Sequence, residues 1–340
     1  MPFDSGTVIY QQISSANLRT YFVGFDVRQY RNEALTEIIL DTIVDFAFGY
    51  HTGILKKYDR RKLVEAAKSI YRIKSFEEVK WVYVDKDSEL LDCELKDQDK
   101  FMKRGEFGEM ILHLLLRDFF ETIPLLSKFH FKDTDSATVH GFDIVHIGPD
   151  PQTGNESLFF GESKLYSRKD GNAGKHGIKD LINDVKEHFK KDFLQREFAL
   201  ISKKKDAFKL IDDYDDQNTL EEYRAFLDKK KHWFNVLEKV EQQKLKLQDL
   251  FKSITIPLVC TYQSKIFDGC DDENSDSFKE ELEKEIAELS ASFTNELAGI
   301  TTDVGEPIRT DLNIILMLFP VPNKKQLVKT LHEKLYKQQG

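Results

Sequence analysis

"TVHGFDIVHIGPDPQTGNESLFFGESKLY", residues 138–166, reads as two apolar strands joined by a turn, and the rest of the chain is best read outward from it. Each strand interrupts its apolar run with charge: Asp143 in the first, Glu162 and Lys164 in the second. Successive side chains of a strand point to opposite faces, so Glu162 and Lys164 share one face while Phe159, Ser163 and Leu165 take the other. Pairing through the turn "GPDPQTGNE" brings Asp143 onto the neighbouring strand, on the face of Glu162. Two carboxylates held together in a low-dielectric sheet repel, and the arrangement is costly unless a cation lies between them. Oxygen-only donors suit Mg²⁺ or Mn²⁺ rather than zinc.

The tripeptide alone proves little, because Glu-x-Lys occurs three times in this chain and Asp-x-Lys twice more, Asp184-Val185-Lys186 among them. Context separates Glu162-Ser163-Lys164: only this one follows a strand and turn whose first strand carries its own Asp. A lone charged pair is ordinarily a cross-strand salt bridge on a solvated face. Here Leu158, Phe159, Phe160, Leu165 and Tyr166 surround it, and an apolar setting makes idle charge expensive.

On the N-terminal side of the hairpin, "RTYFVGFDV" (19–27) reads as a strand, Ala34 to Phe48 and Arg60 to Tyr71 as helices, and "VKWVYV" (79–84) as a strand. The mixed run 89–102 marks a soft boundary, dividing an N-terminal α+β region (1–100) from a domain spanning 101–340. "GEFGEMILHLLLRDFFETI" is an apolar helix ending near Pro124, followed by a strand near Leu126 to Phe131. On the C-terminal side come a glycine-rich basic loop (167–177) and a helix whose Ile178, Leu181, Ile182, Val185, Phe189 and Phe193 keep helical spacing. "REFALIS" (196–202) reads as a strand and 203–252 as an inserted helical pair. "ITIPLVCTY" (254–262), a long amphipathic helix from Asp276, "LNIILMLFPV" (312–321) and a helix over 324–337 complete the chain. Alternating strands and helices predict an α/β or α+β fold around a mixed sheet.

The 340 residues supply ample core, and three widely spaced cysteines argue against a disulfide framework. No leader and no uninterrupted apolar span appears, so a soluble, cytoplasmic protein with no membrane association is expected. Fifty basic against 59 acidic residues leave a net charge of −9, which repels phosphate overall, so any nucleic acid must be met by a local basic surface or delivered by a partner.

One such surface is the loop with Arg168, Lys169 and Lys175, continued by Lys179, Lys186 and Lys190 on the next helix; Gly171, Gly174 and Gly177 would let backbone approach a ligand. Its bland reading is a solvated loop. In the preceding helix Glu109 can reach the hairpin face, with Glu106 as the competing acid; each is equally readable as a first-turn residue that favours the helix dipole. His140 and His146 stand three residues either side of Asp143, on the opposite face, and read as core residues. No Ser-His-Asp order, P-loop or dinucleotide-binding glycine pattern occurs in a credible setting.

A helix Glu, a strand Asp and a strand Glu-x-Lys followed by an amphipathic helix is the order of the PD-(D/E)xK nuclease superfamily. The strings "GEFGEMILHLLL", "HGFDIVHI" and "FFGESKLY" resemble the HamA subunits of the Hachiman anti-phage defence system over about residues 105 to 190. The resemblance implies a restriction-endonuclease-like mixed central sheet flanked by helices, and a Mg²⁺-dependent nuclease acting on DNA beside a HamB helicase. Carried over, Asp143 and Glu162 are metal ligands, the Ser163 carbonyl a third, Lys164 the catalytic lysine and Glu109 the helix acid, also at the metal. Phe142 stands where the superfamily name has Pro, a loosely kept position. The rival reading, from another class, is a catalytically silent subunit that docks on a nucleic-acid helicase and regulates it.

Overall fold

The computed structural model describes residues 5–49, 60–70, 105–126, 141–168, 170–188, 191–202, 217–302 and 312–339. The strand expected at 79–84, the boundary near residue 100, His140, Lys169, Phe189 and Lys190 lie outside them. Elements are numbered over the described residues.

The sheet is built from β1 (Ile9–Ser14), β2 (Leu18–Val23), β5 (Ile123–Leu126), β6 (Ile144–Pro149), β7 (Glu156–Tyr166), β8 (Ile254–Gln263) and β9 (Asn313–Val321). Its seven strands run in the order β1-β2-β9-β8-β7-β6-β5. β2, β9, β8 and β7 run parallel; at one edge β1 pairs antiparallel with β2, and at the other β6 pairs antiparallel with β7 and β5 antiparallel with β6. A small hairpin of β3 (Phe25–Asp26) and β4 (Gln29–Tyr30) stands apart from it.

Helices cover both faces. On one lie α1 (Asn32–Leu40), α2 (Ile43–Phe48), α3 (Arg60–Ile70), α4 (Glu106–Phe119) and α10 (Lys324–Gln338), in a core with Phe159, Val259, Met317 and Phe319. On the other lie α5 (Ala173–His188), α6 (Lys191–Ser202), α7 (Gln217–Glu241), α8 (Leu247–Phe251) and α9 (Asp276–Thr302), in a core with Leu158, Phe160, Leu258 and Leu316. The central strands are therefore apolar on both faces, as parallel strands between helical layers must be. The run α4-β5-β6-β7-α5, then β8 after the helical segment, realises the restriction-endonuclease-like α/β architecture.

Several elements differ from the sequence reading. "REFALIS" is helical, within α6: Leu194, Phe198 and Ile201 are buried at i, i+4 and i+7, a spacing that a short apolar run conceals. The helix expected over 34–48 breaks into α1 and α2 at Asp41–Thr42, where the Thr42 hydroxyl donates to the Ile39 carbonyl at 2.7 Å. α4 ends at Phe119, and Pro124 sits instead in edge strand β5, beside a register shift where its missing N–H is tolerated. That strand precedes the expected 126–131, of which only Leu126 is described. Strand β1 went unread, and with β2 it places the N-terminal stretch in the same sheet as β9. The basic loop is shorter than expected, because α5 begins at Ala173 and takes up Gly174, Lys175 and Gly177. Among the described residues no helix is long and apolar enough to cross a membrane.

Candidate active site

β7 provides the floor of the site. Glu162 is buried, 3 % exposed, and Lys164 lies two residues on along the same face, the face that α5 covers. Asp143 stands one residue before β6 rather than in the middle of a strand. The β6–β7 register pairs Ile144 with Gly161, so Asp143 is the next residue out, opposite Glu162. Its backbone N–H still donates to the Gly161 carbonyl at 3.0 Å. Its carboxylate Oδ2 accepts both the backbone N–H and the hydroxyl of Ser163, each at 2.7 Å. Ser163 therefore orients Asp143. In an extended strand N–H and C=O of one residue point to the same side, which aims the Ser163 carbonyl toward Asp143 where β6 has not yet begun.

α4 packs against the opposite face of β7. Gly108 makes the approach possible: a Cβ there would come within 3.2 Å of Ser163 Oγ. One residue on, Glu109 is buried at 8 % exposure and acts electrostatically on Glu162, whereas Glu106 is half-exposed in the same first turn.

From the other face α5 contributes two side chains that the sequence reading passed over. His188 Nδ1 lies 2.6 Å from Glu162 Oε1, and Asp184 Oδ2 lies 2.5 Å from Lys164 Nζ. A third pair continues the line, Tyr166 donating its hydroxyl to Asp180. Burial pushes the Glu162 carboxyl well above its usual range; Asp143, Asp184 and Glu109 push the same way, and Lys164 opposes them. Burial would lower the Lys164 ammonium, but the hydrogen bond and charge of Asp184, with Asp143 and Glu162, raise it on balance. Burial lowers His188 in spite of Asp184 and Asp143. The signal for Asp184 and His188 was present as four-residue spacing, His176, Asp180, Asp184, His188, on the helix after the Glu-x-Lys strand.

The donor set suits a hard divalent cation: carboxylate oxygens of Asp143 and Glu162, with the Ser163 carbonyl beside them, around a buried carboxyl burdened by like charge. Among the described residues no group of three or more His, Cys, Asp or Glu side chains could hold an ion by itself. Carbonyl and water would have to complete the shell, a mode of binding usual for Mg²⁺.

Of the expected basic residues, Arg168 follows β7 and is exposed, and Lys179 is exposed on α5. Lys175, also on α5, forms a surface ion pair with Glu288 of α9 at 3.6 Å. His146 is a core residue, as its parity predicted. It joins a buried chain in which Thr122 Oγ1 lies 2.8 Å from His146 Nδ1, His146 Nε2 lies 3.0 Å from His113 Nδ1, and His113 Nε2 lies 2.9 Å from Asp45.

No curated protein and no solved structure matches the chain. The family model HamA matches residues 3–335, essentially its whole length. A match over nearly the entire chain means that the protein belongs to the HamA family and is a protein of Hachiman anti-phage defence.

Proposed function

We propose that this protein is a Mg²⁺-dependent deoxyribonuclease, able to use Mn²⁺, that hydrolyses phosphodiester bonds under the control of a HamB-type helicase. The observation that carries the reading is the placement of Glu162 and Lys164 on one face of β7 with Asp143 opposite Glu162. Asp143 and Glu162, with the Ser163 carbonyl, would hold the ion, and Glu109 adds negative charge from the α4 side. Bound there, the ion supplies Lewis-acid polarisation of a phosphodiester and a lowered pKa for water. Lys164, kept protonated by its acidic neighbours, offsets the negative charge that grows on phosphorus. Arg168 and Lys179, with Lys169 and Lys175, supply phosphate contacts that set the register of the backbone.

Charge supports the delivery of DNA by a helicase. At −9 the chain repels a polyanion at long range, and a handful of basic residues neutralises few phosphates. A motor that feeds DNA to the site raises its effective concentration there. The test is incubation of the complex with linear and circular DNA, with and without Mg²⁺, ATP and EDTA. Asp143→Ala, Glu162→Ala and Lys164→Ala should each lower Mg²⁺-dependent cleavage by about 100-fold or more while the chain stays folded. Cleavage at the wild-type rate in Glu162→Ala and Lys164→Ala would remove the assignment.

A further inference from the structure

The two groups of β7 that the proposed chemistry needs are each gripped by α5, and the grip has a regular geometry. Two strand residues advance about 6.6 Å and four helical residues about 6.0 Å, so alternate residues of a strand and every fourth residue of an antiparallel helix stay in register for a few rungs. Glu162, Lys164 and Tyr166 meet His188, Asp184 and Asp180 in that order. The mount is rigid. Ile178, Leu181, Ile182 and Val185 bury the inner face of α5, and Gly177 sits so close to β8 that a Cβ would lie 2.5 Å from Cys260 Sγ.

We propose that Asp184 and His188 are positioning residues for this site, Asp184 fixing the direction of the Lys164 ammonium and His188 fixing the Glu162 carboxylate. The inference rests on the nuclease reading above. A lysine reaches its target on a flexible four-carbon stem, and displacement of a reacting group by 1 Å can cost about 100-fold in rate, so an anchor on the ammonium has a catalytic effect without touching the substrate. Glu162 has two oxygens. With Oε1 held by His188, Oε2 would remain for an ion, and such outer partners typically contribute about 10–100-fold to affinity or activity.

The full-length chain gives two independent readouts: Mn²⁺ binding by calorimetry, and steady-state cleavage of linear duplex DNA by its complex with the helicase. His188→Ala should weaken Mn²⁺ by about 10–100-fold, and His188→Asn, which keeps a donor near the Nδ1 position, should recover most of it. Asp184→Ala should lower kcat by about 10–100-fold with KM little changed; Asp184→Asn, nearly isosteric, should do the same and serves if the alanine variant fails to fold. Tyr166→Phe breaks the third rung of the same ladder and should leave both readouts at the wild-type level, which a merely structural role for the ladder would not explain. Wild-type Mn²⁺ affinity in His188→Ala together with wild-type kcat in Asp184→Ala would overturn the inference alone. A gain of activity in Asp184→Ala would also overturn it, since α5 would then restrain Lys164 rather than place it. A wild-type chain that neither binds Mn²⁺ nor cleaves would overturn the nuclease reading itself.

Discussion

Glu162 shows how one side chain carries an energetic cost that a ligand can relieve. Its folded pKa lies well above the ordinary 4.5 because it is buried beside other carboxylates. Between those two values the folded state binds more protons than the unfolded one, so stability contributed at low pH is lost as pH rises, by about 1.4 kcal/mol per pH unit. Glu162→Gln should therefore melt at a higher temperature than wild type in EDTA at pH 8, with the advantage gone below pH 4.5. Equal melting temperatures at both pH values would mean that the carboxyl is not strained. His146 has the opposite sign. Burial, with His113 and Arg117 beside it, holds it well below its ordinary 6.5, so the unfolded chain takes up a proton that the folded chain refuses and stability falls as pH drops below 6.5. His146→Gln should cost about 1–3 kcal/mol at pH 8 through broken bonds to Thr122 and His113, yet flatten the acid limb relative to wild type. Urea denaturation from pH 8 to pH 5 measures both effects.

Elements place these residues through close approach, and the glycines show where approach is tightest. In Gly177→Ala the added methyl meets a buried sulfur on β8 at 2.5 Å, so α5 must lift or the sheet must shift. The expected cost is about 1–3 kcal/mol in chemical denaturation, accompanied by weaker cleavage because Asp184 and His188 move with the helix. Unaltered stability would mean that α5 seats more loosely than the structure shows. At this scale the sequence was only partly legible. Residues 156–166 read as a strand from a short apolar run after a turn rather than from alternation, whereas the helical period of Ile178, Leu181, Ile182 and Val185 is plain. "REFALIS" was not, because seven residues rich in apolar side chains fit either period and only the pocket made by Phe160 and its neighbours selects the helix, with Phe198 stacked on Phe160 at 5.5 Å.

At the scale of the whole molecule, the proposed function requires that a polyanion reach an acidic protein. Charge neutralisation predicts that each phosphate contact adds about 0.9 to the slope of log affinity against log salt on duplex DNA. Arg168→Ala with Lys179→Ala should lower that slope by about 2 in salt titrations of DNA binding, and an unchanged slope would mean that these residues are merely solvated. Lys175 should contribute less, since binding a phosphate there competes with its pair to Glu288. The chain alone should degrade plasmid far more slowly than its complex with the helicase at physiological salt; equal rates at nanomolar enzyme would make it an autonomous nuclease.

The sequence by itself determined that Glu162 and Lys164 share a face, because alternation along a strand is a local property of backbone geometry. It also determined the oxygen-only chemistry of the candidate ligands, since that depends on residue type alone. Tertiary structure decided what each group touches. Asp143 is held by Ser163, twenty residues away, and Glu162 by His188, twenty-six residues away, through a strand register and a helix seating that no local period encodes. It likewise decided that β2, near the start of the chain, lies beside β9, near its end. A central sheet is completed by whichever strand buries its edge, and that choice is made by the packing of the whole core rather than by the residues of the strand.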